Sequence, residues 1–174
     1  MTGAVFLEAV KINRSCNFRC KWCYANSSVF DSKQTLTIEL ALRLLGIVKE
    51  MGIKHITLIG GEPTLWKYLM DFNAKCREME IRSSLVTNAY RFSNDDFWSK
   101  YTKTPNNKIG VSLKAFDSKS AKEFVGMGDF ESMKIGLRRA ILRFNSGVSF
   151  LCNSFASGNL LSLAKIAREC GAQS

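Results

Sequence analysis

Apolar positions along the chain follow two alternating spacings. Short apolar runs predict buried strands, and the stretches between them, with apolar residues at every third or fourth position, predict amphipathic helices. Thr37 and Gly52 mark the two ends of the first predicted helix. Ser93 followed by Asp96 predicts the start of the third helix. The predicted strands are 5–12, 55–59, 82–86, 108–113 and 148–152. The predicted helices are 37–51, 65–79, 93–101, 133–144 and 160–169.

Five strand–helix units in alternation predict a parallel sheet with helices outside it. A complete eight-unit barrel takes ~250 residues, so 174 residues hold about five and a half units. We therefore predict an α/β fold, a partial (β/α) TIM-like barrel of about five to six parallel units, forming one domain over residues 1–174. The sequence stops where a sixth strand would begin. That favours C-terminal truncation over a naturally short protein, because a parallel sheet without its last strand leaves an exposed edge.

Three of the six cysteines, Cys16, Cys20 and Cys23, lie within eight residues just after the first predicted strand. Thiolates are soft ligands, and a tight loop of them suits zinc or an iron–sulfur cluster. A four-iron cluster normally takes four cysteines, so three would leave one iron open to a small molecule. A zinc site would need a fourth ligand, and no candidate stands at the spacing typical of zinc. The candidates are His55, Cys76, Cys152 and Cys170.

A second motif, Gly60-Gly61-Glu62-Pro63, ends the second predicted strand. Together with the C-x3-C-x2-C motif it resembles the radical S-adenosylmethionine (radical SAM) superfamily. The resemblance implies a 4Fe-4S cluster on Cys16, Cys20 and Cys23, with the amine and carboxylate of S-adenosylmethionine (SAM) chelating the open iron. It implies that one electron from the cluster cleaves SAM, and that a 5′-deoxyadenosyl radical then abstracts hydrogen from a substrate. An electron donor such as flavodoxin or ferredoxin is expected as a partner.

The resemblance also implies SAM-binding residues at the carboxyl ends of the strands, where parallel α/β folds bind ligands. Trp22 and Tyr24 are expected near the adenine, and the Gly60–Pro63 turn near the SAM amino group. Two glycines would let the backbone approach a ligand without a Cβ clash. Alternatives are loop packing for the aromatic residues and strand-end capping for the polar ones. The candidate cofactor-binding residues are Trp22, Tyr24, Gly60, Gly61, Glu62, Pro63, Thr87, Asn88, Ser112, Lys114 and Asn153.

The family pattern varies at the strands that end with Ser112, Lys114 and Asn153, so the resemblance implies a range of roles for them. Ser112 could bond a ribose hydroxyl, and Lys114 could pair with the methionyl carboxylate of SAM. Asn153 could bind ribose or adenine. Cys76 and Cys170 lie within apolar helical stripes and are expected in the core, as is Cys152 in its strand, where a radical-relaying cysteine is the alternative.

Charge and composition indicate where the protein is located and which partners it could attract. No apolar run approaches the ~20 residues of a membrane span. The first residues lack a signal-peptide pattern, so a cytoplasmic location with reduced thiols is expected. The net charge is +10, which could attract nucleic acid, an acidic peptide or an acidic electron donor.

The substrate is not readable from these residues. The motif region resembles peptide- and protein-modifying members of the superfamily, so a peptide or protein substrate is the leading expectation. Two other functions compete with it: a truncated or noncatalytic cluster-binding module, and an RNA-modifying radical SAM protein, which only the net charge suggests.

Overall fold

The computed structural model describes residues 9–24, 34–127, 129–144, 146–150 and 157–173. Its strands form one five-stranded sheet in the order β1-β2-β3-β4-β5, and every neighbouring pair is parallel. This confirms the predicted α/β class with an open parallel sheet. The strands are β1 (Val10–Lys11), β2 (His55–Ile59), β3 (Arg82–Thr87), β4 (Lys108–Ser112) and β5 (Gly147–Ser149).

Helices follow the strands along the chain. They are α1 (Ile38–Glu50), α2 (Leu69–Glu78), α3 (Asp95–Tyr101), α4 (Ser118–Val125), α5 (Phe130–Phe144) and α6 (Leu160–Glu169). Single turns of 3-10 helix occur at Pro63–Leu65, Tyr90–Ser93 and Ser157–Asn159. Among the described helices, none is both long and apolar enough to cross a membrane.

Local sequence signals explain where these helices begin and end. The Thr37 hydroxyl accepts a hydrogen bond from the Leu40 amide at 3.3 Å, which caps α1. Gly52 follows α1 with a φ of 71°, a conformation that glycine adopts without strain. The predicted start of α3 at Ser93 is wrong. Asn94 caps that helix instead, because its side chain reaches the Phe97 amide at 2.8 Å, while Ser93 ends the preceding 3-10 turn.

The main core lies between the helices and one face of the sheet. Alternate strand residues such as Ile56, Leu58 and Leu85 are fully buried there, together with helix residues such as Phe72. Cys76 and Cys170 are also buried, which confirms their predicted place in the core. The opposite face carries the remaining strand side chains and is the inner face of the open barrel.

Two predictions at the ends of strands fall partly outside the described residues. Of the predicted strand 5–12, residues 9–12 are described, and of these only Val10–Lys11 form β1. Cys152 and Asn153 lie outside the described residues, so their expected roles stay predictions.

Candidate active site

A cavity of about 340 Å³ lies at the carboxyl ends of β2, β3 and β4. It is lined by all three motif cysteines and by every predicted cofactor residue except Pro63 and Asn153. Pro63 is buried at the first position of a 3-10 turn. Three residues that sequence reasoning missed also line the cavity: Phe18, Ile59 and Val86. The alternation of side chains along β2 and β3 could have found the last two.

The cysteine loop is held against the end of α4. The Arg19 amide donates to the Val125 carbonyl at 2.8 Å, and the Lys21 amide donates to the Phe124 carbonyl at 3.0 Å. The Trp22 ring meets the Phe124 ring edge-on at 5.8 Å between centroids. These contacts fix the backbone between the cysteines against α4, and the thiols line the cavity on the other side of the loop.

The motif thiols are partly desolvated. Burial raises the pKa of Cys16 to about 12 and that of Cys20 to about 11, although Lys114 opposes the rise at Cys20. Both groups are therefore neutral thiols at neutral pH unless a strongly positive centre favours the thiolate. An iron–sulfur cluster supplies such a centre, and cysteine thiolates are its usual protein ligands.

The three motif thiols line one cavity. The ligands of a four-iron cluster each bind a different iron, so thiols around a common cavity are compatible with a cluster. A zinc site would instead need ligands that converge on one point. Across the described ranges, no group of three side chains of cysteine, histidine, aspartate or glutamate is placed to hold a single ion.

The glycines of the Gly60–Pro63 turn make room for the chain that leads into the cysteine loop. A Cβ on Gly60 would lie 2.8 Å from the Asn13 carbonyl oxygen, and one on Gly61 would lie 2.2 Å from the Ser15 carbonyl oxygen. The Gly61 amide donates a hydrogen bond to the Asn13 carbonyl oxygen at 2.9 Å, and the Glu62 amide donates one to the Ser15 carbonyl oxygen at 2.7 Å. The close approach that requires glycine here is to the protein's own backbone. The glycines are therefore explained by packing against the chain itself, whereas the sequence alone predicts a close approach to a ligand.

The Glu62 side chain is buried, with 1% of its surface exposed. Its Oε1 accepts hydrogen bonds from the Thr64 amide at 3.0 Å, the Thr64 hydroxyl at 2.7 Å and the Thr87 hydroxyl at 2.6 Å. Its Oε2 accepts from the Asn88 amide at 2.8 Å. Burial raises the pKa of Glu62, and these bonds oppose the rise. With four donors around it, the carboxylate ties the end of β2 to the end of β3.

Asn88 connects the end of β3 to the cysteine loop. Its Nδ2 donates to the Asn17 Oδ1 at 2.9 Å, and its Oδ1 accepts from the Tyr90 amide at 3.0 Å. Ala89 follows with a φ of 59°, an unusual value for a residue with a Cβ. Its carbonyl oxygen would be 2.0 Å from a Cβ on Gly136, so α5 packs directly under this turn. The carboxyl end of β3 is therefore held by contacts with the Gly60–Pro63 turn, the cysteine loop and α5.

Ser112 and Lys114 complete the cavity from the end of β4. With the other described residues, neither side chain makes a hydrogen bond or an ion pair that would fix it. Tyr24 stands at the rim with 70% of its surface exposed, and the Lys11 ammonium lies 4.8 Å from its ring centre. Ser112, Lys114 and Tyr24 are therefore the polar residues of the cavity best placed to contact a bound molecule.

Comparisons with known proteins find relatives of this chain both in sequence and in structure. A sequence model of the Radical SAM superfamily matches residues 10–152. The GTP 3′,8-cyclase of Helicobacter pylori strain HPAG1 is 30% identical over 166 residues, which cover 90% of this chain and 51% of the relative. The probable GTP 3′,8-cyclase of Thermococcus kodakarensis is 26% identical over 132 residues, covering 76% of this chain and 42% of the relative. The chain thus spans about half, or less, of these relatives.

Solved structures share the fold at lower identity. Streptococcus suis SuiB bound to the precursor peptide SuiA matches 96% of this chain and 38% of its own, with a TM-score of 0.76 and 18% identity. The structure of anSMEcpe with bound AdoMet matches 95% of this chain and 49% of its own, with a TM-score of 0.70 and 19% identity. At these identities the likeness concerns the fold.

Proposed function

Because this chain belongs to the radical SAM superfamily, whose members use a 4Fe-4S cluster and SAM, we propose that it binds both in the cavity at the carboxyl ends of its strands. The observation that carries the proposal is the convergence of the three motif thiols with the Gly60–Pro63 turn around one cavity. When bound, the cluster would supply one electron to SAM, and the resulting 5′-deoxyadenosyl radical would take a hydrogen atom from a substrate.

In this proposal Cys16, Cys20 and Cys23 hold the cluster as thiolates. Iron binding must displace the thiol protons, since burial holds the pKa of Cys16 and Cys20 far above neutral pH. The backbone hydrogen bonds of Arg19 and Lys21 to Val125 and Phe124 hold the loop that carries the three cysteines before iron binds. That preorganisation favours a cluster over looser metal binding.

Other residues would position SAM and exclude water. Phe18, Trp22, Ile59 and Val86 give the cavity apolar walls, which limit solvent access to the reacting groups. Lys114 would pair with the methionyl carboxylate and Ser112 with a ribose hydroxyl. Asn153, outside the described residues, stays a proposal for the ribose or adenine.

The Gly60–Pro63 turn would meet the SAM amino group through its backbone carbonyls. The Glu62 carboxylate already accepts four hydrogen bonds from the protein, so its part is to hold the turn and the end of β3 in place. Thr87 and Asn88 would act in the same way, as positioning residues whose polar atoms are engaged with Glu62 and Asn17.

The partners and substrate belong to the same proposal. A net charge of +10 suits an acidic electron donor such as a flavodoxin or ferredoxin. The Helicobacter pylori relative is named for a reaction of GTP, so a purine nucleotide is the first substrate class to test. A peptide is the second, since SuiB shares the fold and is solved with a precursor peptide.

The test is anaerobic reconstitution with iron and sulfide, followed by electron paramagnetic resonance of the reduced protein with and without SAM. We expect a brown protein with about four irons per chain and a spectrum that SAM changes, because SAM would ligate the open iron. A colourless protein with stoichiometric zinc, or a spectrum that SAM leaves unchanged, would overturn the proposal. Formation of 5′-deoxyadenosine separates an enzyme from a noncatalytic cluster-binding module.

A further inference from the structure

A second cavity, of about 360 Å³, lies at the amino ends of β2, β3 and β4, opposite the candidate active site along the same strands. It is lined by His55, Arg82, Ser84, Asn107 and Lys108. Two of these side chains are permanent cations at neutral pH and a third becomes one on protonation. No carboxylate is among the residues that line it.

Strand register brings these residues together. His55 pairs with Arg82 across β2 and β3, and Ser84 pairs with Lys108 across β3 and β4. Side chains alternate across a strand, so His55 shares the inner face of β2 with Ile59, and Ser84 shares that of β3 with Val86. Like charges at neighbouring positions on one face of a sheet repel each other. The strand ends would be more stable with an anion between them.

The protein provides no counter-charge for this group within its described part. Neither Arg82 nor Lys108 takes part in an ion pair with another described residue, whereas other cations do. The described ion pairs are Lys21–Glu123, Lys75–Glu78, Lys100–Asp96, Lys134–Glu169 and Arg139–Asp95.

His55, the single histidine of the sequence, is sensitive to the electrostatic potential in this cavity. The His55 Nε2 lies 2.8 Å from the Ser84 hydroxyl oxygen, which fixes the ring over β3. Burial, followed by the charges of Arg82 and Lys108, lowers the pKa of His55. Both cations therefore lie close enough to His55 to affect its charge, and all three line the same cavity.

We propose that this cavity is a binding site for a phosphate group, either inorganic phosphate or the phosphate of a small monoester. A guanidinium can donate two parallel hydrogen bonds to a phosphate, and an ammonium adds a point charge beside it. The Ser84 hydroxyl and the His55 imidazole would complete the donor set. Two cations and a histidine around one recess suit a compact dianion better than the extended backbone of a nucleic acid, which needs a longer basic track.

The experiment uses the full chain and the nuclear magnetic resonance signals of the only histidine imidazole. Inorganic phosphate is titrated at constant ionic strength, with potassium chloride as the balancing salt, and ribose 5-phosphate forms a second arm. We expect a saturable shift of the His55 signals and a rise in the pKa of His55 on binding, because an anion favours the imidazolium. Arg82 on β3 and Lys108 on β4 are the charged groups that line this cavity with it. Tighter binding of the monoester would indicate an organic ligand, and equal or weaker binding would indicate free phosphate.

The decisive variant is Arg82→Gln/Lys108→Gln. We expect phosphate binding to weaken at least about tenfold, as the loss of charge-assisted hydrogen bonds implies. The matched control is Arg43→Gln/Lys49→Gln, which removes two exposed cations from α1 and should leave the affinity within about twofold. Without phosphate the first variant should unfold no earlier than the wild type, since it relieves repulsion.

Three results would overturn the proposal. One is a His55 signal that does not respond to phosphate, and another is a response that potassium chloride reproduces at equal ionic strength. The third is equal weakening in the control variant, which would show attraction to net charge alone.

Discussion

The two ends of β2, β3 and β4 hold charge in opposite ways. At the carboxyl ends, the Glu62 carboxylate is buried and accepts four hydrogen bonds from the protein. At the amino ends, His55, Arg82 and Lys108 are exposed and converge on a cavity without a described carboxylate. A buried charge must be paired within the protein, whereas an exposed charge is stabilised by water. At the carboxyl ends the protein itself supplies the hydrogen-bond partners of the charged group. At the amino ends, within the described part of the chain, the cations are free to bind an anionic ligand.

This difference predicts how each end responds to mutation. Changes at the carboxyl ends should alter folding, cofactor binding or both, because side chains from several elements depend on one another there. Changes at the amino ends should alter binding of an anion and leave the fold intact, because exposed cations contribute little to stability.

Removing a cluster ligand should have the largest effect. Cys16→Ala, Cys20→Ala or Cys23→Ala should each abolish the brown colour and bound iron after anaerobic reconstitution, because three thiolates are the minimum set for this cluster. Cys76→Ala and Cys170→Ala are the controls, since these thiols are buried in the core. Iron analysis and visible absorbance give the measurement. Full iron content in any of the three motif variants would remove that cysteine from the ligand set.

Gly61→Ala should have the next largest effect. The added Cβ would meet the Ser15 and Arg14 carbonyl oxygens at 2.2 Å and 2.5 Å, so the chain before Cys16 must move. We expect a loss of about 1–3 kcal/mol in the free energy of unfolding, as for other overpacked sites, together with reduced iron binding.

The control for Gly61→Ala is Gly46→Ala in α1, where a Cβ meets nothing within 4 Å. Alanine favours a helix interior over glycine, so this variant should gain about 0.5–1 kcal/mol in unfolding free energy. Denaturant unfolding measures both variants. A Gly61→Ala protein as stable and as rich in iron as the wild type would show that the turn is not packed against the cysteine loop.

Glu62→Gln tests how much the four hydrogen bonds to the buried Glu62 carboxylate contribute to stability. An amide nitrogen cannot accept a hydrogen bond, so at least one donor from Thr64, Thr87 or Asn88 loses its acceptor. We expect the free energy of unfolding to fall by about 1–3 kcal/mol, the usual result of leaving a buried donor unpaired. Glu78→Gln is the control, because Glu78 is exposed on α2 and pairs only with Lys75 among the described ion pairs. Equal effects of the two substitutions in denaturant unfolding would argue against a special role for the buried network.

The sequence predicts well what local patterns determine. The strand β2 was predicted with its observed limits, and α1 with its cap at Thr37, because short-range spacing and capping decide them. The meeting of the cysteine loop with the Gly60–Pro63 turn also follows, since parallel strands end at one edge of the sheet.

What the sequence does not show depends on partners far along the chain. Thr64, two residues after Glu62, supplies two of its four donors. The other two come from Thr87 and Asn88 at the end of β3, and no local pattern around Glu62 reveals them. The second cavity depends on strand register, which places His55 beside Arg82. A basic residue at the start of a strand otherwise looks like an ordinary surface position.

The smallest expected effect concerns the field at the amino ends. Burial, Arg82 and Lys108 lower the pKa of His55, so the native state binds this proton less tightly than the unfolded chain does. The stability that this group contributes is therefore fully present above the usual histidine pKa of about 6.5 and should be lost as the pH falls below it, through the lowered pKa of the folded protein. Arg82→Gln should raise the pKa of His55 in the phosphate-free protein, as followed by the imidazole signals, and should reduce that loss. Arg43→Gln, an equal change in net charge on α1, should leave the pKa in place. If both variants move the pKa equally, the field at His55 is a property of the whole basic surface, and the amino ends of the strands are not a distinct site.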